Sequence, residues 1–177
     1  MNRIRSLLRT RTSRIAAFAL VVLVLDQITK AAVLRFLPRV QTDECPLVPG
    51  FFKLVHFENT GAAWSFFSGN NQWLAIVAVV ALIVLFFARH HFDTGSLTGQ
   101  IALGLIFGGI TGNLIDRICF KAVIDFLYFY LERGGREISF PAFNVADSAI
   151  CTGVGLIFLL SWRNDHAPKP PEPPAPQ

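Results

Sequence analysis

FNVADSAICTGVGLIFLLSW, residues 143–162, is oily enough over most of its length to cross a bilayer, yet it opens with Asn144 and Asp147. A spanning helix needs about 20 mostly apolar residues, and this segment supplies them. Three more apolar blocks precede it, at about 15–37, 73–88 and 97–114. The second is short, and Asn70, Asn71 and Gln72 are placed to extend its helix at the interface. The chain has 177 residues, of which 53% are hydrophobic and 16% charged, with a mean hydropathy of +0.48. A soluble domain carries about 25% charge. Buried helices of a soluble core are the competing reading, but almost no amphipathic helix is present to cover them. The pattern predicts one membrane domain of four transmembrane helices over 15–162. A basic leader, 1–14, precedes it, and a proline-rich tail, 163–177, expected to be disordered, follows.

The leader and first block imitate a signal peptide, with a basic n-region and an apolar h-region. DQITK follows, without a small-residue cleavage site, so the block reads as a retained helix. Lys and Arg in short loops set orientation. Arg3, Arg5, Arg9, Arg11 and Arg14 in the leader, ARHHFDTG between helices two and three, and Arg163 after helix four fall on one side, predicted cytoplasmic. Both termini then lie there. The loops at about 38–72 and 115–142 lie outside. Arg117, Lys121, Arg133 and Arg136 in the second outer loop run against the trend.

Several chemistries find no support. The cysteines, Cys45, Cys119 and Cys151, form no CxxC and no metal-ligand spacing. Cys45 and Cys119 share the outer side, and sequence alone does not pair them. His56, His90, His91 and His166 form no HExxH, and no GxSxG, phosphate-binding glycine loop or nucleic-acid motif occurs. No metal, cofactor or nucleic-acid partner is expected.

Polar residues at membrane depth are costly and normally face an interior or a wet cavity. Asp26 and Lys30, spaced i,i+4 on helix one, are either a self-neutralising pair or part of a site. In ENTGAAWSFF, residues 58–67, Asn59 either forms an Asx-turn or orients a carbonyl. In GNLIDR, residues 112–117, Asn113 and Arg117 are i,i+4 neighbours, and Arg117 either snorkels to headgroups or serves a site. Asn144 suits an N-cap and Asp147 falls at N3, where negative charge complements the helix dipole. Gly104, Gly108 and Gly112 form a small-xxx-small stripe on helix three that permits close helix approach. Such packing would bring the ends of helices three and four together.

Asp125 lies in an apolar, aromatic run, AVIDFLYFY, with no adjacent cation. Its charged form is disfavoured there, so it needs a partner. Asp147 is the natural candidate. Two close carboxylates cannot both ionise easily and hold one shared proton. One then takes a proton from water while the other donates to a carbonyl oxygen. The pair titrates as a unit, so base and acid are not assigned between them.

Taken together, DQITK, ENTGAAWSFF, GNLIDR, VIDFL and FNVADSAI, in this order on four apolar helices, closely resemble the lipoprotein signal peptidase family, also called signal peptidase II. The resemblance covers about residues 26–150. It implies an aspartic endopeptidase of the bacterial inner membrane, active near the outer face, which removes signal peptides from prolipoproteins by cutting before a diacylglyceryl-modified cysteine. By motif it implies Asp125 and Asp147 as a catalytic dyad. It implies Asn59, Asn113, Arg117 and Asn144 as site-lining residues, Asp26 and Lys30 as a supporting pair, and Asp116 as structural. It further implies a small extracytoplasmic β-cradle in the loop between helices one and two, around 51–65, and inhibition by globomycin-type antibiotics at the dyad. The expected partners are lipid-modified prolipoproteins and membrane lipids, and the expected state is a monomer. Two departures stand out: FKAVIDF, with Lys121 and Ala122, and LERGGREISF, which is slightly longer than usual.

Two other classes compete. A transporter using Asp125 and Asp147 as a proton relay would string its charges across the bilayer, whereas here they collect near the predicted outer face. A non-catalytic assembly factor held by glycine stripes would tolerate Asp→Asn at both positions.

Overall fold

The computed structural model describes residues 10–37, 45–61, 70–92 and 94–165. Most of the leader, the tail beyond residue 165, and residues 62–69, which hold the second half of ENTGAAWSFF and part of the expected cradle, lie outside the described residues. Among the described residues, four helices are long and apolar enough to span a membrane. They are α1 (Arg11–Phe36), α2 (Asn71–Ala88), α3 (Leu97–Cys119) and α4 (Val145–Asp165). Thr10 and Ser13 cap α1 reciprocally, and Ser96 Oγ accepts from Gly99 N at the start of α3. Helix α2 begins at Asn71, so the polar residues before Trp73 do lengthen the short block. It has no buried residue, as expected of an apolar helix turned towards lipid.

Helix α3 packs against α1 and α4. The glycine stripe, expected to draw helices three and four together, faces α1 instead. A Cβ on Gly108 would meet Ala19 O at 2.6 Å and Val22 Cβ at 2.7 Å. The α3–α4 approach is made off the stripe: a Cβ on Gly109 would meet Ala146 O at 2.5 Å. Successive helical residues are turned by about 100°, so adjacent glycines serve different neighbours.

The fold is not purely helical. Strands β1 (Cys45–Val48), β2 (Phe52–Asn59), β3 (Val123–Arg133) and β4 (Arg136–Ser139) form one antiparallel sheet in chain order. The cradle is expected in the first loop alone, but the sheet draws two strands from each loop. VIDFLYFYLER is rich in β-branched and aromatic residues, which suit a pleated, half-buried surface. Asp125 therefore sits on a strand. The register pairs Leu54 with Leu127 and Asn59 with Val123, joining the two loops. Phe126 N and Leu127 N both donate to Phe143 O, at 3.0 and 2.8 Å. Two residues thus oppose one in a β-bulge, which shifts the alternation of side chains. As a result Asp125, before the bulge, and Tyr128, after it, line the same cavity. The sheet is seated on the end of α1 through a cluster of Val33, Ile124 and Phe126, with Leu34, Leu37, Leu54 and Leu127 packed around it.

Candidate active site

The base of the site is a buried ion network. Lys30 Nζ donates to Asp26 Oδ2 and Asn113 Oδ1, at 2.8 and 3.0 Å, and contacts Asp116 Oδ2 at 2.8 Å. An ammonium has three protons, and these three partners use them all. Each carboxylate is satisfied further. Asp26 Oδ1 accepts from Ala146 N at 3.0 Å, and Asp116 Oδ2 accepts from Ile124 N at 3.2 Å. Gln27 Nε2 bridges the two, at 3.1 Å from Asp26 Oδ2 and 3.1 Å from Asp116 Oδ1. Helices α1, α3 and α4 and strand β3 thus meet on one network. A buried ion pair holds only when its remaining hydrogen-bonding capacity is satisfied.

Above this base, three asparagine amides are oriented by the same device. Lys30 fixes Asn113 Oδ1, which turns Asn113 Nδ2 onto Asp147 Oδ1 at 2.8 Å. Asp147 N occupies Asn144 Oδ1 at 2.9 Å, which turns Asn144 Nδ2 onto Asp125 Oδ1 at 2.7 Å. Gly61 N occupies Asn59 Oδ1 at 2.9 Å, which turns Asn59 Nδ2 onto Asp125 Oδ2 at 3.0 Å. In each case a cationic or backbone donor takes the amide oxygen, so only the NH₂ can face a carboxylate. Asn59 makes its Asx-turn, and its amide meets the Asp125 carboxylate rather than the carbonyl of the alternative reading. Asn144 N also donates to Asp147 Oδ2 at 3.2 Å, which completes a reciprocal cap at the start of α4.

Asp125 and Asp147 line one open cavity of about 850 Å³, together with Arg117, Tyr128, Phe143 and Cys151. Asp125 is 3% exposed. Burial, and then the charge of Asp147, push its carboxyl up to about 7, against the opposing pull of the Asn59 and Asn144 amides and of Lys30. Arg117 is held in place by its backbone contacts: Nη1 donates to Asn113 O at 3.4 Å and Nη2 to Gly61 O at 3.3 Å. Its Nε has no partner among the described residues.

All the residues singled out from the sequence meet here. Asp125, Asp147, Asn59, Asn113 and Arg117 line the cavity, Asn144 is buried behind Asp125, and Asp26, Lys30 and Asp116 lie beneath. Sequence reasoning missed Gln27, whose only signal was its place in DQITK between Asp26 and Lys30. It also missed Cys151, one turn beyond Asp147 on the cavity wall. Cys45, Cys119 and Cys151 are free and exposed. Ser148 Oγ donates to Asn144 O at 2.9 Å, at the start of its own helix.

The chain matches a family model described as Signal peptidase (SPase) II over residues 18–163. It is 38% identical over 149 residues to the lipoprotein signal peptidase of Syntrophotalea carbinolica, covering 82% of this chain and 89% of the relative. To that of Symbiobacterium thermophilum it is 41% identical over 143 residues, covering 80% and 89%. A bacterial membrane enzyme solved by the in meso method at 2.3 Å superposes with a TM-score of 0.75 at 31% identity, covering 89% of this chain and 93% of that one.

Proposed function

The chain belongs to the signal peptidase II family, and from that premise we propose that it is a membrane-embedded aspartic endopeptidase with Asp125 and Asp147 as its catalytic dyad. Its substrate is a diacylglyceryl-modified prolipoprotein, and it cuts before the lipid-bearing cysteine. The observation that carries this reading is the convergence of three pre-oriented amides on two carboxylates at one cavity.

The dyad holds one proton. Water attacks the scissile carbonyl carbon and gives a proton to the ionised carboxylate, while the neutral carboxyl protonates the carbonyl oxygen. A neutral gem-diol results. The carboxyl that took the water proton then protonates the leaving nitrogen as the C–N bond breaks. A hydroxyl proton of the diol passes to the other carboxylate, and the dyad again holds one proton. The amides of Asn59, Asn113 and Asn144 keep the carboxylates in place throughout, which is pre-organisation. Arg117 offers donors to a substrate backbone. The buried Lys30 network holds the three helices and β3 to which these groups are attached.

The same reading makes this a multi-pass protein of the bacterial inner membrane, with both termini cytoplasmic and the cavity and sheet near the outer face. It acts as a monomer without metal or cofactor and is inhibited by globomycin-type antibiotics at the dyad. A lipid-modified substrate lies in the bilayer, so a site at the helix ends meets it there.

The test is cleavage of a diacylglyceryl-modified prolipoprotein by purified protein in detergent, with Asp125→Asn and Asp147→Asn compared by thermal melt. Each substitution is expected to abolish cleavage while the fold survives. Cleavage by both folded variants would remove the dyad and return the transporter and assembly readings.

A further inference from the structure

The two faces of the sheet differ in character. On one, Lys53 Nζ pairs with Glu137 Oε2 at 3.0 Å and lies 4.9 and 4.3 Å from the ring centres of Tyr128 and Tyr130. Glu132 pairs with Glu137 in register, so this face stays polar to the end of the hairpin. On the other, Leu54 and Leu127 pack on the end of α1. Moving outward, Phe129 stacks on Phe52 and Phe143 and meets Phe51 edge-on. Beyond it Leu131 pairs with Ile138, and then Arg133 with Arg136.

Past the end of α1 this second face has no cover among the described residues. Leu131 is 57% exposed and Ile138 61%. The tip ends on two like charges directly opposed across the strands, which is unfavourable unless something else holds them. Gly134 and Gly135, with φ of +59° and +73°, close the tight turn that this pairing needs. The face is continuous with the surface resting on a membrane helix end, so the medium beside it is the rim of the bilayer. Apolar side chains followed by two guanidiniums match the order met there, acyl chains and then phosphates. The basic residues of this loop also run against the orientation expected from the leader. Seating at lipid phosphates gives two of them, Arg133 and Arg136, a local role.

We propose that the β3–β4 hairpin lies in the headgroup layer of the bilayer that the helices span, with Leu131 and Ile138 at the acyl boundary and Arg133 and Arg136 on lipid phosphates. The inference rests on the helices crossing the membrane and not on the peptidase chemistry.

The test uses full-length protein in phosphatidylethanolamine/phosphatidylglycerol bilayers, with Cys45, Cys119 and Cys151 changed to Ser. Nitroxide labels go singly at Leu131→Cys, Ile138→Cys and Glu132→Cys, and the fold is checked by circular dichroism. Labels at 131 and 138 are expected to collide more with oxygen than with a water-soluble nickel chelate, and the label at 132 the reverse. Arg133→Glu with Arg136→Glu is expected to move 131 and 138 towards the chelate. Three folded outcomes overturn the proposal. All three labels could prefer the chelate, which puts the hairpin in water. The arginine changes could leave the labels unmoved. Dipolar broadening that vanishes on dilution with unlabelled protein would mean that a second copy covers the face.

Discussion

Asn144 Nδ2 donates to Asp125 Oδ1 at 2.7 Å, and the same residue caps the helix that bears Asp147. One side chain therefore serves a helix terminus with its oxygen and a carboxylate on a strand with its nitrogen. The two tasks can be separated by substitution. Asn144→Ala removes both, and loss of the cap costs about 1 kcal/mol. Asn144→Ser restores a capping oxygen but has no amide for Asp125. The amide favours the ionised form of Asp125, so losing it raises that pKa further. Both variants should shift the falling limb of the cleavage pH profile, where Asp125 gives up the proton the dyad shares, to higher pH, while only Asn144→Ala also loses the cap. A profile unchanged in both would separate Asn144 from the reaction.

Stability should also depend on pH through Asp125. Its folded carboxyl is pushed up to about 7, from an ordinary aspartate value of 3.8, so between these values the folded state binds more protons than the unfolded one. Stability then falls as pH rises through this window. The contribution is full below about 3.8 and gone above about 7. Melting temperature should decline across that window, and Asp125→Asn should flatten the decline. An equally steep curve in the variant would assign the slope to other groups.

Lys30→Met leaves Asp26 and Asp116 buried without their cation and takes the donor from Asn113 Oδ1. Breaking a buried ion network from one side costs about 3–5 kcal/mol. Thermal melts should show a large loss, far beyond that of an exposed change such as Lys121→Met. A small difference would mean that the two carboxylates adapt without the ammonium.

Gly109→Ala pushes a methyl group against Ala146 O, whereas a Cβ on Gly155 meets nothing within 4 Å. Overpacking of this kind costs about 1–3 kcal/mol. It also moves α4 away from α3, across which Asn113 holds Asp147. Gly109→Ala should lower both melting temperature and cleavage, and Gly155→Ala neither.

The four helices were legible because an apolar block of spanning length can satisfy its own backbone in lipid as a helix, and an isolated strand cannot. The cap at Asn144 was legible because capping is local. The i,i+4 pair Asp26–Lys30 was legible for the same reason. Its third member, Asp116, depends on α1 and α3 lying side by side, which spacing along the chain does not encode. The stripe of Gly104, Gly108 and Gly112 announced a close approach but not its partner, because α3 has neighbours on two faces. Asp125 was recognised as needing a partner, but its element was not. VIDFLYFY fits a buried strand or an apolar helix equally, and its pairing with β2 joins residues from two loops far apart in the sequence. The bulge at Phe126 and Leu127 left no signal of its own. It depends on where Phe143 O falls.

The capping of α4 has a temporal consequence. Asn144 presents its NH₂ to Asp125 while Asp147 N, in the first turn of the final helix, holds its oxygen. That turn also supplies Ala146 N to Asp26. A nascent chain with three helices in place thus holds one carboxylate of the proposed pair and, of its two amide contacts, only the one from Asn59. The proposed protease is therefore latent until its fourth helix docks against the third.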